Sequence, residues 1–297
     1  MNTPQSVSTG ACLPLREESP LSSLADSVKN HYSSRGLEAR VLAALVAAGK
    51  NPDRLTPEDL AAVDEFHIRG RRATVELARL VPLDGISRVL DVGSGLGGAS
   101  RYLAVAFGCH VTGLDLTEEY CRVAAMLSRR LGLDSRVCYR HGNALDMPFA
   151  EASFDLLWSQ HAAMNIPEKS RLYSEMWRVL RPGGVLACYD ILAGEGGAVH
   201  FPVPWAGDAS TSFLTSPQQM RATLEATGFE ILHWQDTTAT ARAWFQRMGV
   251  RLQATGPSPL GLQLLLGENF SAMARNQMRN LEEDRIALVE VIAKRPE

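Results

Sequence analysis

Short apolar segments alternate with amphipathic helical patterns through most of this 297-residue chain, and that alternation restricts its fold more than any other feature. Segments with the composition of strands lie at 89–92, 110–114, 136–139, 154–158, 185–191, 229–234 and 286–293. Between them, apolar residues recur at the spacing of one helix face. Strands that alternate with helices form a mostly parallel sheet that is covered on both faces. We therefore predict a Rossmann-like, doubly wound α/β fold with seven strands, the last of them antiparallel.

The remaining segments add helices to this sheet. Residues 1–25 are rich in Ser, Pro, Thr and Glu, which is typical of a poorly ordered terminus. Helical patterns precede the first strand, and a second helical stretch, broken at Gly256-Pro257, interrupts the alternation before the last strand. The predicted units are a tail, an N-terminal helical cap, the sheet core, a helical substrate lid and the last strand of the core, at 1–25, 26–85, 86–236, 237–284 and 285–297.

Two groups of apolar residues in and before the second helical stretch have more than one interpretation. The first is a stripe at helical spacing, Leu262, Leu265, Leu266, Phe270 and Met273. Packing into a core and lining of a substrate pocket both account for it. The second is a set of aromatic residues, Trp205, Phe213, Trp244 and Phe245. These pack as ordinary core residues or form a wall for a cationic amine or an apolar ring.

The charge balance restricts the partners of the protein. Its 30 basic and 33 acidic residues give a formal net charge of −3, and the longest basic cluster is Arg69-Gly70-Arg71-Arg72. Proteins that bind nucleic acids usually carry a basic stripe, which this sequence lacks. The longest apolar run, Val41 to Ala48, is far shorter than the roughly 20 residues of a membrane-spanning helix. We expect no nucleic-acid partner and no stable membrane association.

Cysteine and histidine usage indicates the compartment and argues against a metal centre. The five cysteines include no C-x-x-C pair, and Cys109, Cys138 and Cys188 lie in or beside apolar runs, as buried thiols in a reducing compartment do. The N-terminus lacks the charged and apolar regions of a secretory signal. The seven histidines show no spacing typical of metal ligands. These features predict a cytoplasmic protein that binds no metal.

The strongest single motif is the glycine-rich segment DVGSGLGG at residues 91–98, which follows the first strand and opens a helix. Gly93, Gly95 and Gly98 satisfy the pattern G-x-G-x-x-G of dinucleotide-binding loops. Glycine permits a tight turn and a close approach of backbone to a ligand. Asp115 ends the second strand, where an acidic residue can accept hydrogen bonds from both hydroxyl groups of a ribose. Both motifs fit an NAD enzyme as well as an S-adenosylmethionine enzyme.

Three further motifs separate these two possibilities. GNALDMPF at 142–149 follows the third strand, SFD at 153–155 opens the fourth, and RVLRPGG at 178–184 precedes the fifth. With the glycine loop, they occur in the order and at the spacing of class I S-adenosylmethionine-dependent methyltransferases, and the chain resembles that family over 86–236. The helical additions resemble its small-molecule branch, which includes sarcosine/dimethylglycine, tocopherol and quinone-biosynthesis methyltransferases.

The resemblance implies how the cofactor S-adenosylmethionine would be bound. The implied cofactor-binding residues are His67, Gly70, Asp91, Gly93, Ser94, Gly95, Asp115, Leu116, Asn143, Ala144 and Gln160. Asp91 would help to fix the methionine ammonium group, and Asp115 would hold the ribose. Asn143 stands where the family commonly has aspartate, and its amide keeps an acceptor oxygen for the adenine amino group. His67 and Gly70 would close over the cofactor from the N-terminal side.

The chemistry of methyl transfer defines what the rest of the site must supply. The reaction is an in-line displacement at an electrophilic carbon, so alignment and exclusion of water dominate its rate. A neutral amine needs little more, whereas a hydroxyl group or a carbon acid needs a base. His161, after the fourth strand, is the first candidate for that base, and a structural role for it stays open. His200 and Tyr189 are the other candidates for catalysis.

The predicted function is transfer of a methyl group from S-adenosylmethionine to nitrogen or carbon, rather than oxygen, of a small molecule in secondary metabolism. One alternative keeps the fold and the cofactor but directs another reaction such as cyclisation. An NAD-linked reductase is a third possibility, against which the turn at 180–184 and the antiparallel last strand argue. The sequence leaves both a monomer and a homodimer open.

Overall fold

One mixed sheet organises the protein. The computed structural model describes residues 23–32, 36–82, 86, 88–255 and 258–297. Its strands are β1 (Arg88–Val92), β2 (His110–Asp115), β3 (Val137–His141), β4 (Phe154–Gln160), β5 (Leu180–Ala193), β6 (Glu230–Asp236) and β7 (Ile286–Lys294). Their order across the sheet is β3-β2-β1-β4-β5-β7-β6. The first five strands of that order are parallel, and β7 is antiparallel to both β5 and β6. The predicted fold class is confirmed.

Helices cover both faces of this sheet. They are α1 (Ser23–Tyr32), α2 (Leu37–Ala47), α3 (Pro57–Asp64), α4 (Arg71–Arg79), α5 (Gly98–Phe107), α6 (Glu118–Arg130), α7 (Lys169–Val179), α8 (Pro217–Thr227), α9 (Thr238–Thr255), α10 (Gln263–Leu266) and α11 (Phe270–Glu282). Successive strand residues point to opposite faces. Val89 and Leu156 therefore pack against α4 and α5, whereas Leu90 and Leu157 pack against α7 and α8.

A third buried cluster joins the N-terminal helices to the late helical stretch. Val41 of α2 and Leu60 of α3 are fully buried in it together with Leu127 of α6. Leu265 of α10 enters the same cluster, so this member of the predicted leucine stripe packs in a core. The two helical additions, which lie far apart in the sequence, therefore share one hydrophobic contact region above α6.

Several element boundaries follow from local backbone chemistry. Capping boxes begin two helices, at Thr56 with Asp59 and at Ser216 with Gln219. The helix α4 begins at Arg71 and no earlier, because the two preceding residues have the positive φ angles of 73° and 50° that an α-helix does not accept.

Some expectations lie outside the described residues or are corrected by the structure. Residues 1–22 and the expected break at 256–257 lie outside the described ranges, and α1 begins inside the segment expected to be a tail. Cys109, Cys121 and Cys188 are buried free thiols, but Cys138 is disulfide-bonded, so a free thiol at that position was a wrong expectation. None of the helices described is both long and apolar enough to cross a membrane.

The contact between α3 and the start of α5 gives a test of this packing. A Cβ atom at Gly98 would lie 2.4 Å from the carbonyl oxygen of Asp64, so one backbone segment must shift. We predict that Gly98→Ala lowers the free energy of unfolding by about 1–3 kcal/mol in a denaturant titration, although alanine is the better helix former. Gly207→Ala is the matched control, because a Cβ there meets nothing within 4 Å. Equal stability of the two variants would contradict the contact.

Candidate active site

A cavity of about 930 Å³ lies at the carboxyl ends of the parallel strands. Part of its wall is formed by residues at or just after the carboxyl ends of β1, β2, β3 and β4, namely 93–95, 115–117, 142–145 and 160–162. Other parts come from α1, α9 and α11. Sites for small molecules usually enclose about 300–1,000 Å³. The volume is therefore at the upper end of that range and leaves room for more than one small ligand.

The glycine loop is fixed to β2 by backbone and carboxylate hydrogen bonds. The Gly93 and Ser94 amides both donate to the carbonyl oxygen of Leu114, at 2.8 and 3.1 Å. One carboxylate oxygen of Asp115 accepts from the Gly95 amide at 2.8 Å, and the other accepts from the Thr117 amide at 2.8 Å. Burial raises the pKa of Asp115, and the two backbone hydrogen bonds oppose this rise. The carboxylate is thus held rigidly in the cavity wall.

Gly93 is required where the loop passes the end of β4. Its φ angle is 76°, and an added Cβ would lie 2.6 Å from the Cβ of Ala162. Both observations exclude a side chain at this position. The sequence predicted that this loop allows a close approach to its backbone. Ala162 makes such an approach on one side of the loop, and the other side is open to the cavity.

Asp91, below the glycine loop, also lines the cavity. Its carboxylate accepts a hydrogen bond of 2.5 Å from the Ser100 hydroxyl, and burial raises its pKa to about 7. The nearby Ser94 hydroxyl is buried and has no hydrogen-bond partner among the described residues. A cation bound at this end of the cavity would favour the ionised carboxylate of Asp91. The pair therefore offers an acceptor and a free hydroxyl to a ligand.

Asn143 and Ala144 lie on the same wall as Asp115 and Leu116. The side-chain oxygen of Asn143 accepts a hydrogen bond of 2.9 Å from the Leu145 amide and thereby stabilises the turn after β3. An amide oxygen has two lone pairs, so one remains for a ligand. The expected contact with an adenine amino group is sterically open, but its acceptor also has a structural role.

A buried polar cluster surrounds His67 at the N-terminal side of the cavity. Nε2 of His67 lies 3.1 Å from the Gly70 carbonyl oxygen, 3.1 Å from the Thr74 hydroxyl and 3.3 Å from Nε2 of Gln160. The Gln160 side-chain oxygen accepts from the Trp158 indole at 2.8 Å. Burial lowers the pKa of His67 to about 4, so the imidazole is neutral at pH 7. The cluster brings together His67, Gly70 and Gln160, as the family resemblance implies.

His161 lines the cavity and has an unpartnered ring nitrogen. Its φ angle of 51° is unusual for a residue other than glycine, and its amide donates to the Tyr189 carbonyl oxygen at 2.8 Å. Nε2 is buried and has no hydrogen-bond partner in the described part of the chain. Burial holds the pKa of His161 well below its usual range. The site therefore contains a neutral imidazole that can exchange a proton with a ligand.

The other two candidate catalytic residues do not reach the cavity wall. Tyr189 is fully buried within the sheet core, where its ring lies 4.9 Å from that of His161. Nε2 of His200 lies 2.8 Å from a carboxylate oxygen of Glu283, and the His200 backbone is bonded to Asn280 of α11. The structure therefore places Tyr189 and His200 outside the described cavity wall, and their role in catalysis stays a prediction. Phe213 is likewise absent from the described wall.

Sequence reasoning missed the helix that closes one side of the cavity. Ala25, Val28 and Tyr32 of α1 line it, and the Tyr32 hydroxyl donates to the Asn165 side-chain oxygen at 2.9 Å. The spacing of three and four residues marks one helix face and was the available signal. On α11, Gln277 was also missed. Within the described ranges, no three His, Cys, Asp or Glu side chains are arranged to hold a metal ion.

Comparison with known proteins identifies the core. A family model described as "Methyltransferase domain" matches residues 90–188, from β1 into β5. The core of this chain, at residues 90–188, is therefore similar to a methyltransferase domain. The resemblance seen in the sequence motifs is confirmed. A glycine/sarcosine/dimethylglycine N-methyltransferase from Actinopolyspora halophila is 29% identical over 223 residues, which are 75% of this chain and 38% of that relative. The chain thus spans less than half the length of this relative.

Solved structures share the architecture of this core and its helical additions. Phosphoethanolamine N-methyltransferase 2 of Haemonchus contortus, in complex with S-adenosyl-L-methionine, has a TM-score of 0.70 at 20% identity, covering 93% of this chain and 61% of that chain. The cyclase SpnF has a TM-score of 0.65 at 22% identity, covering 94% of this chain and 99% of that chain. At these identities the likeness shows the fold alone.

The buried neutral His67 predicts a specific pH dependence of stability. In the unfolded chain this histidine takes up a proton below about pH 6.5, whereas in the folded protein it stays neutral down to about pH 4. The unfolded state therefore binds more protons between these values, and falling pH destabilises the fold. Relative to His67→Asn, the wild-type protein should lose about 1.4 kcal/mol of unfolding free energy per pH unit in this range.

Denaturant titrations at several pH values measure that difference. The exposed His110→Asn variant controls for the loss of a histidine at the surface. Parallel stability curves for the wild-type protein and His67→Asn would contradict the buried, neutral state of His67.

Proposed function

We propose that this protein transfers a methyl group from S-adenosylmethionine to a small molecule bound in the same cavity. The observation that carries the proposal is the composition of one cavity wall. It combines the glycine loop, Asp115, Asn143 and His161, each placed at or just after the carboxyl end of a parallel strand. Ligands of such sheets bind at this edge, and the methyltransferase domain match covers the first four strands.

The residues present fit this cofactor. Asp115 would accept from the ribose hydroxyl groups, and Leu116 lies beside it on the wall. Asn143 and Ala144 would meet the adenine. Asp91 would pair with the methionine ammonium, whose charge suits a carboxylate that burial has left only partly ionised at pH 7. When bound, the cofactor supplies an electrophilic methyl carbon on a sulfonium.

His161 would act on the acceptor. Its neutral imidazole can take a proton from a hydroxyl group or an activated carbon as the acceptor attacks, and it needs no prior deprotonation at pH 7. The buried cluster around His67 and Gln160 excludes water from one side of the reacting region. Enclosure by α1, α9 and α11 would align the acceptor and keep the approach dry.

The proposal extends to the acceptor atom and to the cellular setting of the protein. The N-methyltransferase relative supports nitrogen as one acceptor, and the free His161 nitrogen favours carbon or oxygen acids.

We place the protein in the cytoplasm, in secondary metabolism, without a nucleic-acid partner, as a monomer or homodimer. The net charge of −3 and three free buried thiols support this assignment, while the disulfide at Cys138 argues against a strictly reducing compartment. Cell fractionation and sedimentation would test it.

Removal of the Asp115 carboxylate should weaken cofactor binding. We predict that Asp115→Ala binds S-adenosylhomocysteine at least tenfold more weakly than the wild-type protein in isothermal titration calorimetry, which corresponds to about 1.4 kcal/mol. The variant loses both the ribose acceptor and the anchor of the Gly95 amide. Asp134→Ala, at an exposed position, is the control. Unchanged affinity of Asp115→Ala would reject the ribose assignment.

Substitution of His161 should slow the reaction without weakening cofactor binding. Asparagine tolerates the left-handed backbone conformation at this position, so His161→Asn tests the imidazole rather than the fold. Loss of a general base typically costs about 10²–10⁴ in rate. We therefore expect kcat to fall at least about 100-fold, with S-adenosylhomocysteine affinity within twofold of wild type.

The assay is consumption of methyl donor with the first acceptor found in a panel of amines, phenols, quinones and prenyl compounds. Full activity of His161→Asn would show that the acceptor needs no base from this residue. Cofactor binding without donor consumption by the wild-type protein, across the whole panel, would favour the alternative of a cyclase that retains the cofactor.

A further inference from the structure

We propose that the acceptor is an uncharged, largely apolar molecule with a second polar group, and that Gln277 recognises that second group. The inference deepens the proposed function and rests on it for the identity of the other ligand. It concerns the half of the cavity opposite the glycine loop, which is formed by α9, α11 and residues 258–263.

The wall of this half is mainly apolar. Trp244, Phe245 and Met248 of α9 face the cavity together with Phe270 and Met278 of α11. Transfer of apolar surface from water to such a wall stabilises a complex by roughly 25 cal/mol per Å². The wall therefore favours an acceptor with a large hydrocarbon or ring surface.

Among the charged residues of the described wall, Asp91 and Asp115 lie in the half around the glycine loop, and the others are paired or exposed. The charged residues of this wall are Asp64, Glu65, Asp91, Asp115, Glu168 and Arg275. Asp64 forms an ion pair of 2.7 Å with Arg101, and Glu65 forms one with Arg71. Glu168 and Arg275 are exposed. Neither α9 nor α11 contributes a buried charged side chain to the described wall.

A charged acceptor would therefore lose its hydration without gaining a buried counter-charge in this half. Burial of an unpaired charge is strongly unfavourable, and an amine would have to bind in its neutral form. The imidazole of His161 is neutral as well. The electrostatics of the site thus select an acceptor that carries no net charge.

Gln277 is the exception in the apolar half. Its residue is 7% exposed, it lines the cavity from the middle of α11, and its side-chain amide has no hydrogen-bond partner among the described residues. The amide atoms of Gln277 are open to the cavity, where a ligand group can pair with them. A primary amide can donate to a carbonyl group or accept from a hydroxyl group.

Two unpartnered polar groups consequently define which chemical groups the acceptor must carry. Nε2 of His161 lies at the sheet edge, where the nucleophile must be, and Gln277 lies on the helical insert. The acceptor should present a proton-bearing nucleophile to the first and a neutral hydroxyl or carbonyl group to the second, with apolar surface between them.

A set of naphthalene probes tests this by calorimetry with the full-length protein, both alone and saturated with S-adenosylhomocysteine. The probes are 2-naphthol, the isomeric dihydroxynaphthalenes, 2-(aminomethyl)naphthalene and 2-naphthoate. We expect the neutral probes to bind at least tenfold more tightly than the cationic and anionic ones. The best dihydroxynaphthalene should bind at least fivefold more tightly than 2-naphthol.

Variants of Gln277 assign the second hydroxyl group. In Gln277→Leu and Gln277→Met, the gain from the second hydroxyl should disappear, while the affinity for 2-naphthol stays within twofold of wild type. Gln246→Leu is the matched control, because Gln246 lies on α9, is exposed and does not line the cavity. The control should keep the full gain.

The outcomes separate this inference from the proposed function. Failure of the wild-type protein to bind S-adenosylhomocysteine would reject the proposed function. The relative affinities of the probes for the free protein would still test the acceptor class. Tightest binding by a charged probe, absence of binding by every neutral probe, or retention of the hydroxyl gain in both Gln277 variants would overturn the inference.

Discussion

The hydrogen bonds between the Asp115 carboxylate and the amides of Gly95 and Thr117 are the interaction on which the site depends. They connect the glycine loop, the end of β2 and the start of α6 through one side chain. A carboxylate held by two backbone donors cannot rotate freely, so the oxygen atoms that face the cavity have a fixed direction. The ligand-binding edge of the sheet is therefore preorganised by backbone geometry rather than by mobile side chains.

Neutral histidines set the electrostatic character of the reacting region. Burial lowers the pKa of both His67 and His161, and the two rings lie 5.9 Å apart. A positively charged histidine beside a bound sulfonium would be repelled. Burial keeps both imidazoles neutral here. The same burial raises the pKa of Asp91, so the cavity carries less charge of either sign than its residues suggest.

The sequence predicted the sheet and its ligand-binding edge because these depend on local patterns. Strand periodicity, the glycine loop and Asp115 each follow from a short segment, and the structure contains them as expected. Sequence patterns place residues less well where their surroundings depend on distant contacts. His200 belongs to a loop that hydrogen bonds to α11, and Tyr189 sits on the inner side of β5, neither of which a linear pattern reveals. Gln277 escaped notice because one glutamine in an amphipathic helix carries no local signal.

The two halves of the cavity come from different stretches of the chain. Parallel strands and their loops build the half around Asp115, whereas the helical stretch between β6 and β7 builds the half around Gln277. Substitutions on α9 and α11 alter the second half while leaving the hydrogen bonds of the first intact. In evolution, such a division lets a lineage exchange one reaction partner for another by editing a single insertion. For protein engineering it marks these two helices as the region to randomise and the sheet edge as the region to leave alone.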